Sequence, residues 1–155
     1  EPYLGQDCEV LSLTTLHPIG RIASYINSIP QYKLSHPGSI RQDGGIGLFT
    51  QVQEGEQLCL MSGTIDSLVT RAGRVVNSAI EHSQVDKSQV KGALLIYCAG
   101  CLQMVADQID TVSQGVNEAL NNQPFVGAYT LGEQGCFQEG VNLHGNLMIS
   151  ALVFL

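Results

Sequence analysis

The feature that most constrains the fold is an unbroken apolar run at residues 92–98, which reads GALLIYC. A strand that is apolar on both faces is typical of the centre of a sheet, where neighbouring elements cover each side. The run is far shorter than the roughly 20 apolar residues of a membrane helix, and no other segment of the chain approaches that length. We therefore expect a central, buried strand at residues 92–98.

Amphipathic segments lie on both sides of this run. In residues 64–82 apolar side chains recur every three or four positions, and Thr64 can cap the start of a helix. The same stripe runs through residues 102–121, and Pro124 follows shortly after it. A single apolar stripe indicates a helix that is half buried against one surface. The sequence thus predicts one helix before the central strand and one after it.

Shorter apolar runs predict the remaining strands. Residues 46–52 and 57–61 flank a polar turn and predict a β-hairpin. Residues 125–130 predict a strand, residues 131–136 a glycine-punctuated loop leaving the sheet, and residues 146–155 a last strand inside it. Between residues 16 and 37, the glycine and proline positions argue against long regular elements; they are Pro18, Gly20, Pro30 and Pro37.

These elements together predict an α+β fold: a mixed, mainly antiparallel sheet with both amphipathic helices packed on one face. The length of 155 residues is that of a single domain spanning residues 1–155. Because the chain begins at Glu1, we expect a fragment of a longer protein. Charged residues make up only 14%, which predicts some exposed apolar surface that a second subunit or another domain could cover.

The charge of the chain bears on its partners. The formal net charge is −7, and the seven basic residues are scattered along the sequence. Nucleic acids and anionic membrane surfaces attract proteins with clustered Lys and Arg, so neither is an expected partner. The five cysteines form an odd set without a disulfide framework, which argues against a secreted, disulfide-stapled domain. We expect the protein to be cytoplasmic.

Two cysteines stand three positions apart in the sequence Cys98-Ala99-Gly100-Cys101, where the central strand is predicted to end and a helix to begin. A helix N-terminus can stabilise a thiolate, which would suit a redox sensor or thiol enzyme. No proline separates the cysteines, however, and a second βαβ unit is missing from the pattern. A structural or ligand-facing turn is the interpretation that the sequence favours.

A metal site is the other interpretation of these cysteines. Cys98, Cys101, Cys136 and His144 could form a Cys₃His zinc set. Cys136 and His144 lack the close spacing of a ligand pair, however, and a single C-x-x-C is not specific for zinc. We expect neither a bound metal nor a cofactor.

Two charged residues are candidates for ligand binding. Glu133 lies between glycines just after Tyr129, and an acid at a strand end suits an ammonium or a polar amide. Alternatively, Glu133 is a solvated loop acid that fixes a turn by accepting hydrogen bonds from backbone N–H groups. Arg41 could pair with a ligand carboxylate, or form a surface salt bridge. No motif of a catalytic nucleophile is present, so we do not expect an enzyme.

Three motifs stand in the second half of the chain: residues 98–101 read CAGC, residues 127–135 read GAYTLGEQG and residues 144–146 read HGN. They resemble motifs in the C-terminal domain of the FIST (F-box and intracellular signal transduction) family. That family has a Cys-Ala-Gly-Arg-like turn, a G-x-Y-T-x-G-E-x-G segment and a His-Asn stretch before its last strand. The upstream segments HPIG at 17–20, SIR at 39–41, DGG at 43–45 and EG at 54–55 agree more loosely. Cys101 replaces the family's arginine, and Gly145 separates His144 from Asn146.

The resemblance implies a sensory domain of an intracellular signal-transduction protein that binds a small polar ligand, with amino acids proposed for the family. Its expected partners are an N-terminal FIST domain or a signalling output domain of the same protein, and a homo-oligomer is compatible with it. The implied ligand-binding residues lie at strand ends and in adjoining loops: Cys98, Ala99, Gly100, Tyr129, Glu133, His144 and Arg41.

Topology supports the grouping of Cys98 and Tyr129. If one helix joins two neighbouring strands, the strands run parallel and their C-terminal ends lie at the same edge. Ligands gather at such edges in α/β arrangements. We therefore expect Cys98, Tyr129, Glu133 and His144 to converge in one cleft. Two alternatives remain at this point: a thiol redox sensor or enzyme using Cys98 and Cys101, and a protein–protein interaction domain.

Overall fold

The chain divides into two compact units, in a computed structural model that describes residues 13–26, 28–137 and 141–155. The first unit comprises residues 1–63 and 134–147, and the second comprises residues 64–133 and 148–155. The expectation of a single domain over residues 1–155 stays a prediction.

Ten strands and three α-helices are described in these ranges. The strands are β1 Ile19–Ile26, β2 Ile29–Ser35, β3 Pro37–Ile40, β4 Ile46–Leu48, β5 Cys59–Leu60, β6 Gly92–Cys98, β7 Phe125–Thr130, β8 Glu133–Phe137, β9 Val141–Gly145 and β10 Ile149–Phe154. The α-helices are α1 Ile65–Ser83, α2 Ala99–Val105 and α3 Ile109–Ala119, and single 3₁₀ turns occupy Lys87–Gln89 and Ala106–Gln108.

The centre of the second unit is β6, as the apolar run predicts. In the strand order β10-β6-β7, β6 runs antiparallel to β10 and parallel to β7. Its alternate side chains Ala93, Leu95 and Tyr97 are buried. The C-terminal segment is a strand, as predicted, and β10 pairs along its whole length with β6. Its expected place inside the sheet is wrong, because β10 is an outer strand of this sheet.

The first predicted helix is confirmed as α1. Thr64 caps it, because the Thr64 Oγ1 accepts a hydrogen bond from the backbone N–H of Ser67 at 3.2 Å. Its apolar stripe is buried against α3 and β10; the buried side chains include Leu68, Val69, Ala72, Val76 and Ile80.

The second predicted helix, at residues 102–121, is instead two helices, and the first of them begins earlier than predicted. α2 starts at Ala99, directly after β6, and a 3₁₀ turn separates it from α3. Val105 and Gln108 leave helical geometry, with φ −122° at each. The apolar spacing continues through the turn, and Val105, Val112 and Val116 are all buried. The hydrophobic pattern alone therefore did not reveal the break.

One face of the second unit's sheet leaves apolar side chains exposed. Leu152, Leu94 and Val126 are register partners across β10, β6 and β7, so they share one face. Leu152 and Val126 are exposed, as is Phe154 two residues along β10. These exposed side chains agree with the expectation, drawn from the low charge content, that some apolar surface is exposed.

The strands of the first unit correct two predictions. The predicted hairpin of residues 46–52 with 57–61 is wrong: β4 pairs with β3, and β5 pairs with β1. The argument against long elements between residues 16 and 37 is also wrong, since β1 and β2 form an antiparallel pair. β2 is an outer strand of the order β2-β1-β5. Pro30 is tolerated near its start because an outer strand need not donate every N–H group.

A third correction concerns residues 131–136. We expected a loop here, but Glu133 opens β8, which pairs with β9. Only residues 131–132 form a turn, and Gly132 supports it with φ +92°, which a residue with a side chain rarely adopts.

The predicted fold class is confirmed: the chain is α+β, and its strands are mainly antiparallel. Within the described ranges the strands are shared among four sheets instead of one. Two of these sheets have three strands and two have two. Strand pairing between distant segments decided this division, and the pattern of each segment alone could not.

Candidate functional site

The parallel pair β6 and β7 places its C-terminal ends at one edge of the second unit, as the topology argument predicts. Tyr97 is in register with Tyr129, and Cys98 with Thr130. α2 begins at Ala99, so the chain turns into a helix immediately at this edge.

Glu133 is the charged residue of this edge, and it is fully buried, with 0% of its surface exposed. Its Oε1 accepts a hydrogen bond from the Thr130 hydroxyl at 3.0 Å. Its Oε2 accepts one from the backbone N–H of Met148 at 3.4 Å, just before β10. The carboxylate therefore connects the end of β7 to the start of β10. Glu133 is not the solvated loop acid of our second interpretation, but it does accept a backbone N–H group.

Glu133 belongs to neither of the ion pairs Arg21–Glu56 and Arg41–Asp43. Its charge acts on the two cysteines of the edge, since it contributes to raising the pKa of both Cys98 and Cys101. Burying a carboxylate is costly, and this makes Glu133 the most informative group of the site.

Cys98 and Cys101 are neighbours with opposite acidities. The pKa of Cys98 is lowered to about 7, mainly because the Cys101 thiol donates a hydrogen bond to the Cys98 thiolate. The backbone N–H groups of Cys101 and Gly100 add to this effect, against burial and the charge of Glu133. As a neutral thiol, Cys98 makes no capping hydrogen bond to the helix. The pKa of Cys101 is raised by its hydrogen bond to Cys98 and by burial.

Tyr97 and Tyr129 form the aromatic part of the edge. Their rings meet edge to face, with centroids 6.0 Å apart. The Tyr97 hydroxyl is buried and finds no hydrogen-bond partner within the described part of the chain. Burial, followed by the charge of Cys101, raises the pKa of Tyr97 to about 12. Tyr129, in contrast, is 52% exposed, so its ring is accessible from solvent.

The other two predicted ligand residues belong to the first unit. His144 is exposed on β9. Arg41 forms an exposed salt bridge with Asp43 at 3.3 Å, which is the surface pairing that we considered as its alternative. Convergence of His144 with the residues of the second unit stays a prediction.

Asn146 is the part of the HGN motif that the first unit uses structurally. Its Oδ1 accepts a hydrogen bond from the backbone N–H of His36 at 3.2 Å, and its own N–H donates to the Leu34 carbonyl at 3.0 Å. Asn146 is buried. It thereby attaches the chain after β9 to the end of β2.

Sequence reasoning missed Tyr97, Thr130 and Met148 as members of the site. Tyr97 carried a usable signal, because it is the only residue with a side-chain hydroxyl in the otherwise apolar run at 92–98. Thr130 and Met148 carried no such signal. Thr130 reaches Glu133 across a turn, and Met148 takes part only through its backbone N–H group. Cys101 was not among the predicted ligand-binding residues.

Other functions would require a metal site or a membrane-spanning helix. Where side chains are described, no cluster of three or more His, Cys, Asp or Glu is placed to hold a metal ion. The side chain of Cys136, part of the zinc set that we considered, lies outside the described ones. In the described segments, none of the helices combines the length and apolar character that crossing a membrane requires.

Comparison with protein families shows that the model of the FIST C domain matches residues 1–136 of the 155-residue chain. Among curated proteins and among solved structures, none matches the chain.

Proposed function

Because the chain belongs to the FIST C family of signal-transduction sensory domains, we propose that it binds a small polar ligand at the C-terminal edge of β6 and β7. The ligand carries an ammonium group and is of the amino-acid class. The domain is a cytoplasmic binding module without catalytic turnover, and it signals through another domain of the same protein.

The observation that carries this proposal is the buried Glu133 carboxylate. Within the described part of the chain, Thr130 and Met148 give it hydrogen bonds from a hydroxyl and a backbone N–H group, neither of which is charged. Removing a carboxylate from water is costly unless a cation compensates it. A ligand ammonium would supply that cation, and the charge-assisted hydrogen bond would be stronger than either existing one.

Neighbouring groups favour the same ligand. A Cys98 thiolate adds a second negative charge beside Glu133. The exposed ring of Tyr129 offers a face that attracts cations. Ala99 and Gly100 bring backbone N–H groups to this edge, which can donate to a ligand carboxylate. A molecule with both an ammonium and a carboxylate matches these groups.

Access to Glu133 runs through the turn at residues 131–132. Leu131 is 90% exposed and makes little contact with the rest of the chain. Gly132 occupies the left-handed region, where glycine interchanges conformations at little cost. We propose that displacement of this turn admits the ligand. The Thr130–Glu133 hydrogen bond, which spans the turn, is exchanged for the bond to the ligand.

The test is a binding screen with matched probes: amino acids, the corresponding amines without a carboxylate, and the corresponding acids without an ammonium. Probes with an ammonium should raise the unfolding temperature, and calorimetry then gives their Kd. Glu133→Gln should weaken the best probe by roughly 1.5–3 kcal/mol, because a neutral amide replaces the charged acceptor. Glu118→Gln is the matched control, since Glu118 is exposed on α3.

Two results would contradict the proposal. Binding of the acids but not of the amines would mean that the edge recognises anions. If Glu133→Gln lowers the free energy of unfolding and leaves affinity unchanged, Glu133 only braces β7 to β10. Urea unfolding of both variants, measured alongside calorimetry, separates these cases.

A further inference from the structure

Cys98 and Cys101 hold defined positions at one helix start. Cys98 is the last residue of β6 and the N-cap of α2, and Cys101 lies in the first turn of that helix. Both are buried: Cys98 is 5% exposed and Cys101 0%. Both are free thiols in this structure.

This spacing makes the two cysteines neighbours at the helix start, as residues three positions apart in a helix are. Cys98 makes no capping hydrogen bond with its side chain, so its thiol is not held to the helix backbone. The α-carbons of such a pair lie within the range of about 4.4–6.8 Å that a disulfide spans. A disulfide therefore requires side-chain rotation and little movement of the backbone.

The two thiols also differ in acidity, as the oxidation of a dithiol requires. Cys98 has the lowered pKa and is the thiolate of the pair, stabilised by the Cys101 thiol and by backbone N–H groups. Cys101 keeps its proton, because its own pKa is raised. The thiolate is the form that attacks an oxidant, and a protonated neighbour in hydrogen-bond contact can then resolve the product.

We propose that Cys98 and Cys101 form a redox-sensing dithiol that a small peroxide oxidises to an intramolecular disulfide. The Cys98 thiolate attacks one peroxide oxygen, the O–O bond breaks, and Cys98 becomes a sulfenic acid while hydroxide leaves. The Cys101 sulfur then attacks the Cys98 sulfur; the S–S bond forms, the S–O bond breaks, and the Cys101 proton leaves with the oxygen as water. Two thiols lose two electrons, and one peroxide is reduced to two waters.

The burial of Cys98 limits the size of the oxidant that can reach it. With 5% exposure, Cys98 can meet a molecule of the size of hydrogen peroxide, whereas a bulky disulfide reagent is hindered. Oxidation also removes the thiolate charge next to Glu133, and so changes the electrostatics of the edge where we place the ligand. The dithiol itself does not depend on ligand binding, so either proposal can fail without the other.

The experiment uses the reduced chain without any ligand. After treatment with hydrogen peroxide, the protein is quenched in acid, denatured, alkylated and analysed by mass spectrometry. We expect the loss of two alkylatable thiols and of two hydrogen atoms in mass. Cleavage after Glu118 separates the pair from Cys136, so a link between Cys98 and Cys101 is identified directly. A dithiol reductant should restore both thiols.

Variants distinguish the roles of the two cysteines. In Cys101→Ser, Cys98 should stop at the sulfenic acid, which dimedone traps; in Cys98→Ser, Cys101 should remain alkylatable. Cys59→Ser is the matched control and should oxidise like the unaltered chain. Oxidation of Cys59 with the 98/101 pair left reduced would overturn the proposal. So would a disulfide that forms only in urea, because the folded helix start would then play no part. Both of these results come from the unaltered chain, so they do not depend on a variant that folds.

Discussion

Gly73 on α1 faces the backbone of Gly115 on α3 so closely that a β-carbon at position 73 would lie 2.7 Å from the Gly115 carbonyl oxygen. No side chain larger than hydrogen fits there without moving one helix, because the obstructing atom belongs to a backbone. The close packing of α1 on α3 depends on this glycine.

Gly73→Ala should therefore lower the free energy of unfolding by about 1–3 kcal/mol, as overpacking of a buried contact does. Gly115→Ala is the matched control. A β-carbon at position 115 meets no atom within 4 Å, and alanine in a helix interior is favoured over glycine by about 0.5–1 kcal/mol. Urea unfolding of the two variants should give shifts of opposite sign. Equal shifts would show that the helices separate easily at this crossing.

Arg21 is a buried cation of the first unit, with 6% exposure. Its guanidinium donates to the Gln51 carbonyl, to the hydroxyls of Ser35 and Thr50, and to Glu56. Arg21→Met should cost about 2–3 kcal/mol of folding free energy, because buried acceptors lose their donor. Arg41→Met removes an exposed salt bridge and should cost less than about 1 kcal/mol. Chemical denaturation measures both; similar costs would mean that the Arg21 network contributes no more than a surface pair.

His36 predicts a pH dependence of stability. Its Nε2 is hydrogen-bonded to the Thr14 hydroxyl at 2.9 Å, and its ring packs against Phe49. Burial lowers the pKa of His36 in the folded protein, so the unfolded chain binds a proton first as the pH falls. The stabilisation is complete above the ordinary histidine pKa of about 6.5 and is lost below it.

Urea unfolding between about pH 7.5 and pH 5 should show this loss. In His36→Gln, the loss of stability that His36 causes as the pH falls should disappear. The variant can already be less stable than the unaltered protein at the highest pH of this range. If the two proteins lose stability in parallel as the pH falls, other groups cause the acid sensitivity.

The Cys98 thiol should titrate near pH 7, since its pKa is lowered to about 7. The Cys101 thiol is the main cause, and the backbone N–H groups of Cys101 and Gly100 assist. Burial and Glu133 oppose the shift. Arg71 lowers the pKa of Cys101 and of Tyr97, and Tyr129 raises the pKa of Tyr97. Thiolate absorbance of the chain minus that of Cys98→Ser isolates this group.

Cys101→Ala tests the cause of that shift. Without the thiol donor, the pKa of Cys98 should rise toward the ordinary cysteine value of about 8.5. A midpoint that stays near pH 7 in Cys101→Ala would assign the effect to the backbone N–H groups alone.

Elements defined by their own residues were predictable from the sequence. The run at 92–98 is the central strand of its sheet, as its apolar character predicts. Ala93, Leu95 and Tyr97 on one face are buried, whereas Leu94 and Ile96 on the other face are half-buried. Thr64 starts α1 because a hydroxyl next to an apolar stripe can accept from the first helical turn. The parallel pairing of β6 with β7 followed from the helical connection between them.

Elements defined by a distant partner were not predictable. Residues 46–48 pair with β3 and residues 59–60 with β1, although the turn between the two segments suggested that they pair with each other. Glu133 looked like a solvated acid among glycines, and it is buried because Thr130 and Met148 come together around it.

The sequence by itself thus determined the α+β class, the central strand, the first helix and the edge at which Cys98 and Tyr129 meet. Local periodicity and chain connectivity act over a few residues or one crossover, so one chain segment contains the information. Only the tertiary structure decided the strand pairing of the first unit, the burial of Glu133 and the opposite acidities of Cys98 and Cys101. Each of these depends on desolvation and hydrogen bonds from groups that the folded backbone brings together.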